Sequence, residues 1–213
     1  MKVAKTRYAF PPGESLPPPP GPAQYPLPVP TEEECLALWE ETSMFNNVRE
    51  HSFAVAAVAT FLAERARELG REVNVGAVRA SALLHDIAKT YSILYGGNHS
   101  QLGGAWVAEY TGNPVIASGV AHHVFWPFEL DLERYFLQLA VLYADKRVTH
   151  DHLVPINERF EDLLDRYGRN GLIRERMTVM HEQVETVEEL FSTTLKVDLN
   201  EYSLDSGRLV QRA

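Results

Sequence analysis

The sequence predicts an all-α fold led by an extended proline-rich arm. Beyond Pro30, apolar residues recur at helical spacing almost to the C-terminus, while the alternation typical of strands is nearly absent. Ten of the 13 prolines lie between Pro11 and Pro30, a composition that favours polyproline conformation and builds neither a helix nor a central strand. With no regular PxxP array, the arm reads as a strap on the domain surface; the other reading is a ligand for a proline-binding domain.

Each helix carries its own start or stop signal. Thr31 with Glu34 forms a capping box, and the acidic first turn suits the helix dipole. Further helices are expected over His51 to Leu69, stopped by Gly70, over Val75 to Lys89, and over Ser100 to Tyr110, stopped by Gly112. Pro114 then opens one that runs to His123. The last three run over Asp131 to Val148, Pro155 to Tyr167 before Gly168, and Leu172 to Phe191. The polar tail offers only Leu195 to Leu199, as a short strand or a surface segment. The expected organisation is an arm (1–30), a helical domain (31–192) and a tail (193–213).

At 213 residues the chain suits one domain with extensions, and 45% hydrophobic against 23% charged residues is a soluble globular balance. A formal charge of -9 argues against a broad face for extended nucleic acid. Cys35 alone makes neither a disulfide nor a cysteine zinc site, so any metal must sit on His and carboxylates. The N-terminus lacks the apolar core of a secretory signal, and the longest apolar stretch, Phe53 to Ala63, falls well short of the ~20 residues that span a bilayer. A cytoplasmic protein without a membrane partner is expected.

Several polar residues nonetheless lie on apolar faces. His51 shares its face with Val55, Val58 and Leu62, Asp86 follows Ala82 and Leu83, and Asp145 follows Val141 and Leu142, with Gln138 a polar exception in that last stripe. A single such histidine is usually a satisfied core residue. Buried carboxylates among neutral imidazoles call for a cation, and the ordered set His51, His85, Asp86, His99, His122, His123 and Asp145 therefore points to a metal centre.

The segments REHSFAVAAVA, SALLHDIAK, NHSQLGGAWV, VAHHV and LYADKRV carry these residues, and together they resemble the HD-domain superfamily of metal-dependent phosphohydrolases over about Val48 to Gly168. The resemblance implies an HD helical bundle with a first metal on His51, His85, Asp86 and Asp145. It implies a second on Asp86 as a bridge, His99, and either His122 or His123, the spacing from Val120 favouring His123. Imidazole and carboxylate donors suit iron or manganese first, with zinc, cobalt and nickel as alternatives. Two ions about 3.5 to 4 Å apart would activate a bridging water for in-line attack on phosphorus. Their charge would also reverse the local sign of an acidic protein, so a small anionic substrate fits.

The implied function is hydrolysis of a phosphoester or phosphoanhydride in a nucleotide or similar small phosphate, with Asp86 and Lys89 as catalytic candidates. Lys89 either approaches the phosphate or closes a helix as a cation at its C-terminus. The missing GYP segment argues against a cyclic di-GMP phosphodiesterase of the HD-GYP type. The HDIAK and AD segments also resemble bacterial di-iron dinucleoside tetraphosphate hydrolases, from which the residues around His123 depart. Alternatives are a regulatory HD domain and a di-iron HD-type oxygenase; a homo-oligomer is allowed.

The remaining candidates are weaker. Lys146 and Arg147 are lesser phosphate contacts, and Arg49 and Glu50 support His51 or are surface charge. His150 and His152 read as a solvated loop, His181 as surface or interface, and Cys35 as structural. Phe125, Trp126 and Phe128 either pack a loop or wall a base pocket.

Overall fold

A computed structural model of the chain describes residues 26–212, so most of the proline-rich arm lies outside the described residues. Its last part, from Pro26, has no helix or strand and is tied down where the Asn113 side-chain amide donates to the Pro28 carbonyl at 2.7 Å.

Nine α-helices follow among the described residues: α1 (Glu32–Glu41), α2 (Asn46–Glu68), α3 (Val75–Leu84), α4 (Lys89–Tyr95), α5 (His99–Thr111), α6 (Pro114–His122), α7 (Phe136–Asp145), α8 (Ile156–Tyr167) and α9 (Gly171–Leu195). The all-α expectation holds. Among the described residues strand is confined to two small antiparallel hairpins, β1 (Val148–Thr149) with β2 (His152–Leu153), and β3 (Tyr202–Asp205) with β4 (Arg208–Gln211). No helix among the described residues is long and apolar enough to cross a membrane.

The caps explain much of this. Thr31 and Glu34 form the expected capping box, and Asn74, Asn98, Asn113 and Asn170 each accept backbone N–H groups at a helix start. The core lies where α2 packs on α3 and α7, with α6 beside α3 and α7 and α5 beside α6. Its α2 face is rich in alanine, from Ala54 to Ala66, which lets neighbouring helices approach closely.

One close approach joins α5 to α6. A Cβ at Gly104 would stand 2.7 Å from the Ala121 Cβ and 3.2 Å from the Ala117 carbonyl, so only glycine fits there. This contact sets His99, at the start of α5, opposite His123, just past α6. Gly104→Val is expected to destabilise the fold by about 1–3 kcal/mol through overpacking. A urea midpoint equal to wild type would contradict that close approach.

Several boundaries differ from expectation, α2 among them, which starts at Asn46 rather than His51. The helix expected over Val75 to Lys89 breaks after Leu84 into a tight turn, in which the Lys89 N–H donates to the Asp86 carbonyl at 2.8 Å, and α4 then begins. The helix expected from Asp131 starts at Phe136, because the Asp131 carboxylate accepts the N–H groups of Glu133 and Arg134 and holds a separate turn. In the tail, Leu195 ends α9 and the strands lie further on, joined at Ser206 and Gly207, both at positive φ as a two-residue hairpin turn requires.

Candidate metal centre

The turn after α3 places two consecutive side chains in one site. On a continuous helix neighbours diverge by about 100°. Here His85 and Asp86 both face inward, with the His85 Nε2 3.7 Å from an Asp86 oxygen. His51 comes from α2, His99 from the start of α5, His123 from the end of α6 and Asp145 from the end of α7.

Backbone carbonyls fix the tautomers of three histidines. The Nδ1 atoms of His51, His85 and His123 lie 2.9, 2.7 and 2.7 Å from the carbonyl oxygens of His150, Ala82 and Val120. A carbonyl only accepts, so each Nδ1 carries a hydrogen and, in the neutral form of the ring, Nε2 turns a bare lone pair inward. Those lone pairs meet acceptors. His51 Nε2 is 3.0 Å and His85 Nε2 3.8 Å from Asp145 Oδ1, and His123 Nε2 is 3.6 Å from Asp86 Oδ1 and 3.2 Å from His99 Nε2.

Such an arrangement of acceptors needs cations between them. His85 Nε2 is buried with no hydrogen-bond partner, and Asp86 Oδ1, 3.2 Å from His99 Nε2, makes no well-aligned bond either. Among the described residues two groups have the spacing of a metal site, His51 with His85 and Asp145, and His85 with Asp86 and His123. The donor chemistry and the orphaned atoms fit divalent ions, and a carbonyl-oriented imidazole is the usual support of a metal-binding histidine.

Burial drives the His85 imidazolium pKa down to about 3, against the pull of Asp86 and Asp145, so the ring is neutral near pH 7. Burial also lowers His99, opposed by Asp86. For Asp145 burial acts upward, yet Lys146 first and then Arg159 hold its carboxyl well below the usual range. Asp86 is likewise held low against its burial, chiefly by Lys89.

Of the expected residues, the structure brings together His51, His85, Asp86, His99, His123 and Asp145. His122 is left out: it packs edge-on against Trp126 and Phe128, with ring centroids 5.6 and 5.5 Å away. Lys89 opens α4 instead of closing a helix, so the C-terminal dipole reading does not hold; its Nζ lies 3.8 Å from Asp86 and 3.5 Å from His99 Nε2.

Lys146 is more central than its sequence suggests. Its side chain is 4% exposed, and its ammonium donates to Asp145 and, at 3.3 Å, to the His123 carbonyl. Arg147 points elsewhere, to Tyr143, Glu188, Asn200 and the Val154 carbonyl. Arg49 pairs with Glu40 and the Met44 carbonyl, and Glu50 is exposed.

The other candidates resolve as packing or surface. Trp126 is 1% exposed and locked to Gln183 and the Glu129 carbonyl, so it packs a loop and offers no face to a base. His152 is exposed beside Asp151, and His181 stacks on Phe160 between α8 and α9. Cys35 is buried, its thiol pushed up to about 12 by burial and then by Glu34 and Glu32.

Two contributors escaped the sequence reading. His150 acts through its backbone: it sits at φ 56° in the tight β1–β2 turn, which aims its carbonyl at His51. Arg159 reaches Asp145 at 3.5 Å from α8. A signal for it was present, since Arg159 is the charged member of the stripe Ile156, Phe160, Leu163.

A model of the HD domain matches residues 48–154 of the chain. Ribonuclease Y of Aquifex aeolicus (strain VF5) is 31% identical over 176 residues, 82% of this chain and 26% of the relative. Ribonuclease Y of Clostridium perfringens (strain SM101 / Type A) is 26% identical over 170 residues, 80% of this chain and 28% of the relative. Ribonuclease Y of Dehalococcoides mccartyi (strain CBDB1) is 37% identical over 84 residues, 39% of this chain and 15% of the relative. The chain thus spans about a quarter or less of the length of these relatives. No solved structure matches it significantly.

Proposed function

The chain belongs to the HD-domain superfamily of metal-dependent phosphohydrolases, and from that premise we propose that it hydrolyses a phosphoester or phosphoanhydride bond in a nucleotide or similar small phosphate. The observation that carries this reading is the set of inward Nε2 lone pairs facing two buried carboxylates. His51, His85, Asp86 and Asp145 would hold one ion, and Asp86, His99 and His123 a second, iron or manganese first by donor type. Such ions supply Lewis acidity, activating water and polarising a phosphoryl oxygen.

The chain's own groups complete the site. Lys89 and Lys146 place positive charge beside Asp86 and Asp145, where a phosphate would approach. The carbonyls of His150, Ala82 and Val120 hold the imidazoles in register, so the ligands need no reorganisation when ions bind. With two divalent ions the charge inside this acidic protein becomes positive, which favours an anionic substrate.

The assay is phosphate release by protein reconstituted with manganese or iron, across nucleotides, dinucleoside polyphosphates, a generic phosphodiester and a single-stranded RNA. The RNA belongs in the panel because the relatives bear the name ribonuclease, against the expectation that excluded extended nucleic acid. Metal-dependent turnover of a small phosphate supports the proposal. Cleavage of the RNA alone would replace the substrate, and no turnover above an Asp86→Ala control would reject the hydrolase reading.

The ligand assignment has its own check. His122→Ala is expected to keep the wild-type metal content, whereas His123→Ala loses about one ion per chain, a nitrogen ligand being gone from one site. Elemental analysis after dialysis reads both. Metal loss in the His122 variant would reverse the assignment.

A further inference from the structure

Arg159 lies outside the residues matched by the family model, and its surroundings are unusual for a buried cation. Its side chain is 10% exposed. Nη1 pairs with Asp162 Oδ2 at 3.2 Å, one turn along α8, and Asp162 is itself braced by Arg166 at 2.8 Å. Nη2 points toward the metal centre, 3.5 Å from Asp145 Oδ1. Nε is buried and has no hydrogen-bond partner.

Asp145 cannot satisfy that inner edge. Its Oδ1 already faces His51 at 3.0 Å and His85 at 3.8 Å, and its Oδ2 takes the Lys146 ammonium. Once Asp145 ligates a cation, even the 3.5 Å contact weakens, and the guanidinium keeps only Asp162 on its outer side. A buried N–H edge without an acceptor is costly, and the Nε and Nη2 hydrogens form a planar fork that matches two oxygens of a phosphoryl group.

We infer that Arg159 binds the phosphoryl group of the substrate through its Nε and Nη2 hydrogens, with Asp162 holding the fork in position. The inference rests on the hydrolase reading for the identity of the substrate; the anion site itself can be tested without turnover. A mere brace for Asp145 would need only one N–H, and would leave Nε without a role.

The test uses the manganese-loaded full chain as wild type, Arg159→Gln and Arg159→Lys, with three readouts: metal content, calorimetric affinity for inorganic phosphate, and kcat and KM on any substrate the panel finds. Arg159→Gln is expected to keep its metal and lose phosphate affinity by about tenfold or more, as suits a charge-assisted bidentate contact. Arg159→Lys, which keeps the charge but not the fork, should recover only part of it and serves as the reading if the glutamine variant does not fold. Phosphate affinity within about twofold of wild type, or loss of metal in both variants, would overturn the inference in favour of a brace for Asp145. Arg159-dependent phosphate binding in a protein that hydrolyses nothing would retain the anion site and reject the hydrolase reading. Turnover with unchanged KM in Arg159→Gln would do the reverse.

Discussion

Asp86→Ala is expected to lose bound metal and to lower hydrolysis by roughly 10³-fold or more, since several kcal/mol of charge stabilisation leave with the ions. Asp86 has one oxygen toward His99 and His123 and the other toward His85, so in the proposed two-ion arrangement it would serve both ions. Among the described residues no other carboxylate is placed to substitute: Asp145 sits on the His51 side, held by Lys146. Because Lys89 and the neighbouring imidazoles hold the wild-type carboxylate ionised against its burial, its removal also costs stability in the metal-free protein, so folding is checked alongside by circular dichroism. The check is metal content and turnover on the same preparation. Retention of both, within about tenfold in rate, would contradict a bridging role.

Arg147→Ala is expected to be the most destabilising of the substitutions considered, by about 3 kcal/mol, the low end for breaking a buried ion pair because Glu188 is partly solvated. The guanidinium is 1% exposed and donates to four groups on four segments: Tyr143 on α7, Glu188 on α9, Asn200 in the tail and the Val154 carbonyl after β2. Truncation takes the donor from Asn200 and the Val154 carbonyl and leaves Tyr143 and Glu188 with their bond to each other. It also frees the tail from the end of α7, two residues past Asp145. In a chain of this size that corresponds to a melting shift of about 6–12 °C. Arg147→Lys, keeping the charge but losing the fork, should fall between the two. A midpoint within about 1 °C of wild type would show the network to be energetically idle.

The same residue shows what the sequence can and cannot convey. Arg147 reads as a phosphate contact because it follows Asp145, but a cation two residues on along the chain points to another face, and here it binds the interior of the fold. Lys146 was undervalued for the complementary reason. Nothing in a string of letters shows that an ammonium lies 4% exposed between Asp145 and the His123 carbonyl.

His51, His85, Asp86 and Asp145 were legible because helical periodicity marks inward faces, and polar residues on such faces need partners, whereas His99 and the histidine after Val120 were legible through the resemblance to the HD domain. Periodicity could not choose between His122 and His123, since α6 ends between them and the last turn decides their directions. It also ran through the break after Leu84, where no glycine or proline interrupts the pattern. The break is what allows His85 and Asp86 to share one site. The C-terminal hairpin had a signal in Ser206 and Gly207, which the polar composition of the tail obscured. Arg159 stood in an apolar stripe, where its charge was the cue.

The central claim, two ions bridged by Asp86, is tested most directly by anomalous diffraction at the metal absorption edge from crystals of manganese-loaded protein. The expected result is two peaks per chain, one among His51, His85, Asp86 and Asp145 and one among Asp86, His99 and His123. A single peak, a peak coordinated by His122, or none beside Asp86 would contradict it.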